Sequence, residues 1–243
     1  MFAAGVCVYS FCIVGYSVYY EIAIFSLGVF FLVAFANAHN DIVDFEIDKI
    51  NRPKRPLPSG KISIEQAYTI AFICFFWAMI LGVMAGWKFA VLFAVVGVLS
   101  FVYNKYLKKL PLVGNFAVAL LTCTPIFIPI IKITAFSQLI ILAFFAFILT
   151  FAREIIKDIE DMAGDKALGL KTFPLLFGIK PSLAIFFLAL AMPAVLFTEY
   201  RVVVAAFTAF SAIFAVFKKW RWLQIMLKLA MLAGLVCFES SSL

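Results

Sequence analysis

The chain has 243 residues, 66% of them hydrophobic and only 14% charged, with a mean hydropathy of +1.12. A soluble domain carries about 25% charged residues, so an ordinary soluble globule is excluded. The net charge of +7 is what the cytoplasmic Lys and Arg of a membrane protein supply, and nothing in it calls for nucleic acid as a partner.

Only helices and closed barrels satisfy their backbone in lipid. The apolar runs have the length a helix needs to cross, roughly 20 residues, and the alternation of barrel strands is absent. Nine spans are predicted, at 2–19, 22–38, 65–84, 88–104, 112–131, 137–153, 181–198, 201–217 and 222–238. The first has no basic lead-in and no small-residue cleavage site, so it is not read as a signal peptide. The fold class is an all-α, multi-pass membrane protein. Cys7, Cys12, Cys74, Cys123 and Cys237 fall within the spans without a C-x-x-C pair and read as small buried hydrophobes.

Sixteen of the 20 Lys and Arg lie in four segments, 49–61, 105–109, 153–180 and 218–221, leaving Lys88, Lys132, Arg201 and Lys228 elsewhere. By the positive-inside rule those segments face the cytoplasm, with the N-terminus inside and the C-terminus outside. Lys218, Lys219 and Arg221 read as contacts to anionic headgroups.

After the second span comes a charged island at 37–61, "NAHNDIVDFEIDKINRPKRPLPSGK". Asp41, Asp44 and Asp48 follow the spacing D-x-x-D-x-x-x-D, which shares one helical face, and Asn40 joins them at steps of four. The prolines Pro53, Pro56 and Pro58 predict an extended loop, placed as a lid or a plain connection. After the sixth span a second island at 153–171, "REIIKDIEDMAGDKALGLK", repeats the spacing with Asp158, Asp161 and Asp165. Four spans separate the islands, so both emerge on one side, and their likeness points to an internal duplication. Carboxylates stacked on one face repel, and leaving them near lipid is costly. Mg²⁺ prefers oxygen ligands shared between one or two carboxylates and substrate phosphates. Two facing clusters therefore suit Mg²⁺ ions bridging a diphosphate. Arg52, Arg55, Arg153, Lys157 and a third loop carrying Lys105 and Lys108 would bind its oxygens. His39 alone makes no metal site.

These motifs resemble the UbiA-type intramembrane prenyltransferases. "NDIVDFEID" at 40–48 is similar to that family's N-D-x-x-D-x-x-x-D, and "DIEDMAGD" at 158–165 to its D-x-x-D-x-x-x-D. The flanks "INRPKRPLPSGKIS" and "REIIKDIED" are most similar to the archaeal branch that makes digeranylgeranylglyceryl phosphate. The resemblance implies one domain over 1–243, with about nine helices around a central cavity under a cytoplasmic polar cap. It implies an isoprenyl diphosphate donor, a lipid-soluble acceptor, Mg²⁺, and no obligate protein partner. It places Asn40, Asp44 and Asp48 on one metal set and Asp161 and Asp165 on the other, with Asp41 and Asp158 in support as candidate bases and Arg153 and Lys157 beside them. The family's loop motif has a tyrosine four residues before a lysine. Here Tyr103 precedes Lys105 and Lys108 at other spacings, and either lysine fills that part. The rival acceptor is an aromatic ring, as in quinone biosynthesis. A cation channel or transporter is the rival class, and it would carry its acids at midplane depth in broken helices.

Overall fold

The computed structural model describes residues 2–132, 136–196 and 201–240, with side chains described for 3–132, 139–196 and 201–231. Among these residues every regular element is helical. The order is α1 (Phe2–Ile13), α2 (Tyr19–Val43), α3 (Phe45–Asn51), α4 (Ile64–Ala85), α5 (Trp87–Lys105), α6 (Val113–Phe127), α7 (Phe136–Ala167), α8 (Phe173–Phe177), α9 (Ile179–Leu196), α10 (Arg201–Val216) and α11 (Trp220–Ser240). Six stretches are long and apolar enough to cross a membrane: Tyr19–Val43, Ile64–Ala85, Trp87–Lys109, Val113–Ile131, Leu139–Ala167 and Ile179–Leu196. The spans drawn at 2–19 and 201–217 fall on shorter apolar helices, Ala3–Ile13 and Arg201–Val216. The span drawn at 137–153 covers only the apolar half of α7. The helix continues to Ala167 because Glu, Lys, Met and Ala are good helix formers whatever their polarity.

The chain divides into two compact units, Met1–Lys108 with Leu120–Ala143, and Lys109–Ala119 with Phe144–Leu243. The first unit packs α2 against α1, α4 and α5, around a core that includes Phe11, Phe25, Val29, Ala78, Phe89 and Phe93. α4 starts on a capping box: Gln66 N–H donates to Ser63 Oγ at 3.1 Å and Ser63 N–H to Gln66 Oε1 at 2.9 Å, which satisfies two orphan donors. Gly86, at φ +123°, ends α4 and lets α5 fold back on it. In the second unit, α7, α9, α10 and α11 enclose Ala152, Ile156, Phe186, Ala215, Leu223 and Leu227.

Two glycines set the helix approach in the first unit. A Cβ on Gly28 of α2 would lie 2.3 Å from the Phe93 ring, and one on Gly97 of α5 would lie 2.6 Å from Phe75. Small residues at such crossings are how membrane helices pack closely. Gly28→Ala is therefore expected to cost about 1–3 kcal/mol through overpacking, read as a lower unfolding midpoint in detergent. Phe93→Leu in the same chain should restore most of it, and an unchanged midpoint in the single variant would refute the close approach.

At the start of α2, Glu21 accepts from the Tyr16 hydroxyl and pairs with Lys132 at 2.9 Å. Lys132 Nζ also lies 5.9 Å from the Phe25 and Phe89 ring centroids. One of the four cations outside the basic segments is thus matched by a local carboxylate and by ring faces.

The cysteines Cys7, Cys12, Cys74 and Cys123 form no disulfide. The side chain of Cys237 lies outside the described residues.

Candidate functional site

In the first unit the acidic face is built across a joint rather than along one helix. α2 ends at Val43, Asp44 adopts φ −86° and ψ 5°, and α3 begins at Phe45. The hydrogen-bond ladder nevertheless runs on: Asp44 N–H donates to Asn40 O at 2.8 Å, and Asp48 N–H to Asp44 O at 2.7 Å. The four-residue steps joining Asn40, Asp44 and Asp48 therefore survive the break.

The proline segment is not the extended loop its prolines predict. It folds as consecutive turns, with Arg55 N–H on Arg52 O at 3.0 Å, Ser59 N–H on Arg55 O at 2.9 Å and Gly60 N–H on Leu57 O at 3.1 Å. These turns carry Arg55 back onto the acids. Arg55 Nη1 donates to Asp48 Oδ2 at 2.6 Å and to Asp41 Oδ1 at 3.0 Å, while Arg52 lies 3.6 Å from Asp48. Asp48 is only 1% exposed, so its charge needs these partners. A pocket of about 240 Å³ opens here, lined by Asp41, Asp48, Arg55 and apolar residues including Ala38, Leu57 and Ile70.

Lys108 completes the first cluster. Its Nζ contacts Asp44 Oδ1 at 2.5 Å, with both side chains largely buried. Lys105 instead lies against the rings of Phe101 and Tyr106. Of the two lysines left open by the loop spacing, Lys108 is the one at the acids. His39 is stacked between Phe35 and Phe101, and its Nδ1 lies 3.1 Å from Asn104 Nδ2. Asn104 also donates to Ala36 O at 3.2 Å, which ties α5 to α2 beside the cluster.

In the second unit the cluster rides one continuous helix. Asp158, Asp161 and Asp165 all lie on α7, with Asp161 and Asp165 buried. Asn115 of α6 donates from Nδ2 to Asp158 Oδ2 at 2.8 Å. One turn earlier, buried Glu154 accepts from Arg153 Nη1 and pairs with Lys157 at 3.7 Å. Asn115 and Asn104 are functional neighbours that motif reading missed. Each is a single uncharged residue with no spacing partner, so no sequence signal marks it.

Among the described residues no group of three His, Cys, Asp or Glu side chains is gathered closely enough to hold a metal by itself. Arg and Lys cations occupy the carboxylates instead. The donor chemistry still fits Mg²⁺. The acids and Asn40 offer only hard oxygens, and this ion needs one or two carboxylates, with water and phosphate completing its shell.

The UbiA prenyltransferase family matches residues 4–230. This chain is a UbiA-family protein. It is 39% identical over 168 residues to the digeranylgeranylglyceryl phosphate synthase of Methanosphaera stadtmanae, a match covering 69% of this chain and 62% of that protein. It is 44% identical over 158 residues to the synthase of the same description from Pyrococcus horikoshii, covering 64% and 56%. The UbiA-family chain thus spans about six-tenths of the length of these curated relatives. A solved structure of a digeranylgeranylglyceryl phosphate synthase is similar at TM-score 0.67 and 26% identity, covering 96% of this chain and 92% of that one. A UbiA homolog from Archaeoglobus fulgidus, bound to GPP and Mg²⁺, is similar in fold at TM-score 0.67 and 19% identity, covering 99% and 96%. The UbiA fold, all-helical and multi-pass in the membrane, is therefore that of this chain.

Proposed function

We propose that this protein transfers an isoprenyl group, geranylgeranyl, from its diphosphate to the lipid acceptor geranylgeranylglyceryl phosphate, forming an ether-lipid precursor. The observation that carries the reading is the pair of D-x-x-D-x-x-x-D clusters, each interleaved with cations that match diphosphate chemistry. The 39% identity to a digeranylgeranylglyceryl phosphate synthase supports the acceptor.

Asn40, Asp44, Asp48, Asp161 and Asp165 would hold Mg²⁺, which when bound neutralises the charge that builds on the diphosphate. Arg52, Arg55, Lys108, Arg153 and Lys157 supply donors for its oxygens, in surroundings of low dielectric where fixed charge acts strongly. The donor's allylic C–O bond breaks, the electron pair leaves with the diphosphate, and the acceptor hydroxyl oxygen bonds to the freed carbon. Asp41 or Asp158 accepts the hydroxyl proton. Apolar walls keep water from the cation.

In this reading 1–243 is one polytopic domain with a pseudo-repeat, the clusters at 37–61 and 153–171. About nine helices enclose a central cavity under a polar cap on the cytoplasmic side, with the N-terminus inside and the C-terminus outside. The segregation of Lys and Arg supports that orientation. Donor, acceptor and bilayer are its partners.

The test offers the purified protein geranylgeranyl diphosphate with the glyceryl phosphate lipid and 4-hydroxybenzoate side by side, and identifies products by mass spectrometry. The ether lipid is the expected product. A prenylated aromatic ring as the main product would replace the acceptor, and intact donor with Mg²⁺ present would overturn the reading.

A further inference from the structure

α10 and α11 meet at a corner, "VFKKWRW" at 216–222, that the proposed reaction does not use. Lys219 N–H donates to Phe214 O at 2.9 Å, and Lys218 N–H to Ala215 O at 3.1 Å. This is the paired closure of a Schellman turn, whose pivot residue takes a left-handed backbone. The pivot is Lys218, at φ +53°.

Glycine is the ordinary choice there, because a Cβ crowds the following carbonyl in that conformation. The same chain makes that choice at the end of α7. Leu170 N–H donates to Asp165 O at 2.9 Å, Gly169 N–H to Lys166 O at 3.2 Å, and the pivot Gly169 has φ +66°. Among the described residues Leu112 is the one other non-glycine with positive φ. The backbone therefore does not account for a lysine at 218. Its side chain must.

Lys218, Lys219 and Arg221 are all exposed, and none pairs with a carboxylate among the described residues. No Asp or Glu occurs from 200 to 238. Glu160 of α7 reaches α11, but there it accepts from Gln224 Nε2. The surface around the cations is apolar: Val216, Phe217 and Trp222 are 76%, 68% and 61% exposed. Trp220 instead packs against the core of the second unit and anchors the turn. Three cations among bare aromatic rings match a bilayer surface, where anionic headgroups attract Lys and Arg and Trp rings settle at headgroup level.

We infer that this corner docks the phosphate of an anionic bilayer lipid, with Lys218, Lys219 and Arg221 on its oxygens and Phe217 and Trp222 beside its chains. The sequence marks the cations alone. The structure adds the lysine in glycine's place and the exposed rings. The inference is independent of the proposed reaction.

The experiment uses the full chain in nanodiscs, carrying Trp77→Phe, Trp87→Phe and Trp220→Phe so that Trp222 is the sole tryptophan. Its fluorescence is quenched with brominated phosphatidylglycerol or brominated phosphatidylcholine at matched mole fraction. The anionic lipid should quench as though enriched at least ~10-fold at the corner, and Lys218→Gln alone should lower that preference about fivefold, one cation's share. Lys218→Gln, Lys219→Gln and Arg221→Gln together should abolish it. Lys218→Gly should lose the same preference as Lys218→Gln yet unfold at a higher midpoint, since it relieves the backbone. Equal quenching by the two lipids, or none, overturns the inference and points the cations at a soluble anion or a protein. So does a preference that the triple glutamine variant keeps. A Lys218→Gly chain that unfolds below Lys218→Gln also overturns it, because the side chain would then serve the turn itself.

Discussion

Asp44→Asn and Asp161→Asn are each expected to lower kcat by about a thousandfold, because each removes a charged oxygen from the carboxylates proposed to hold Mg²⁺ at the leaving diphosphate. A loss of about 4 kcal/mol of transition-state stabilisation corresponds to that factor, within the range for removing one electrostatic partner from a preorganised site. The two variants differ in their side effects. Asp44→Asn also leaves Lys108 without its carboxylate, so the folded fraction must be checked by thermal unfolding. Asp161 is buried on a continuous helix, and asparagine keeps its shape. Near-wild-type turnover in either folded variant, at saturating donor and Mg²⁺, sinks the metal assignment.

Arg55→Ala should be the most damaging change outside the acids. Its guanidinium bridges Asp48 at 2.6 Å and Asp41 at 3.0 Å and so pins the proline segment to the end of α2. The Arg55 side chain is 37% exposed, which screens its pairings, whereas that of Asp48 is 2% exposed. The cost is therefore expected mainly from the buried carboxylate left with Arg52 at 3.6 Å. It amounts to about 1–3 kcal/mol after discounting a fully buried pair for solvent. Activity should fall about a hundredfold as two fixed donors leave the site. Arg55→Lys should restore only part of it, since an ammonium is a point charge and not a fork. The double variant Arg55→Ala with Asp48→Asn should recover stability but not turnover. If the single variant unfolds at the wild-type midpoint, the bridge carries no structural weight.

How much of this was legible in the residues depends on the range of the interaction. The acid spacing at 41–48 and 158–165 is local. Helical periodicity carries it, and even the joint at Asp44 did not disturb the four-residue steps. The helix under 137–153 was cut short because an apolar window ends where charge begins, while the backbone of α7 does not. The proline segment was misread because three prolines constrain φ but do not fix whether the chain extends or turns. That choice follows from Arg55 reaching acids seven and fourteen residues away. Choosing between Lys105 and Lys108 required the end of α5 to be placed beside Asp44, 64 residues distant from Lys108. Asn104 and Asn115 gave no signal because a neutral side chain acquires meaning only from what faces it.

Among the described phenylalanines, the close approaches at Gly28 and Gly97 set Phe93 and Phe75 apart from those that face outward. Phe72, 69% exposed on α4, points away from the packed helices, and any aliphatic of similar size should serve there. Phe93 and Phe75 fit against positions where a neighbouring helix offers no more than a hydrogen atom, so ring and glycine form one lock and must change together. In a saturation library, tolerance should therefore follow what each residue faces rather than how hydrophobic it is. The least permissive apolar sites would be the plainest ones, the two glycines.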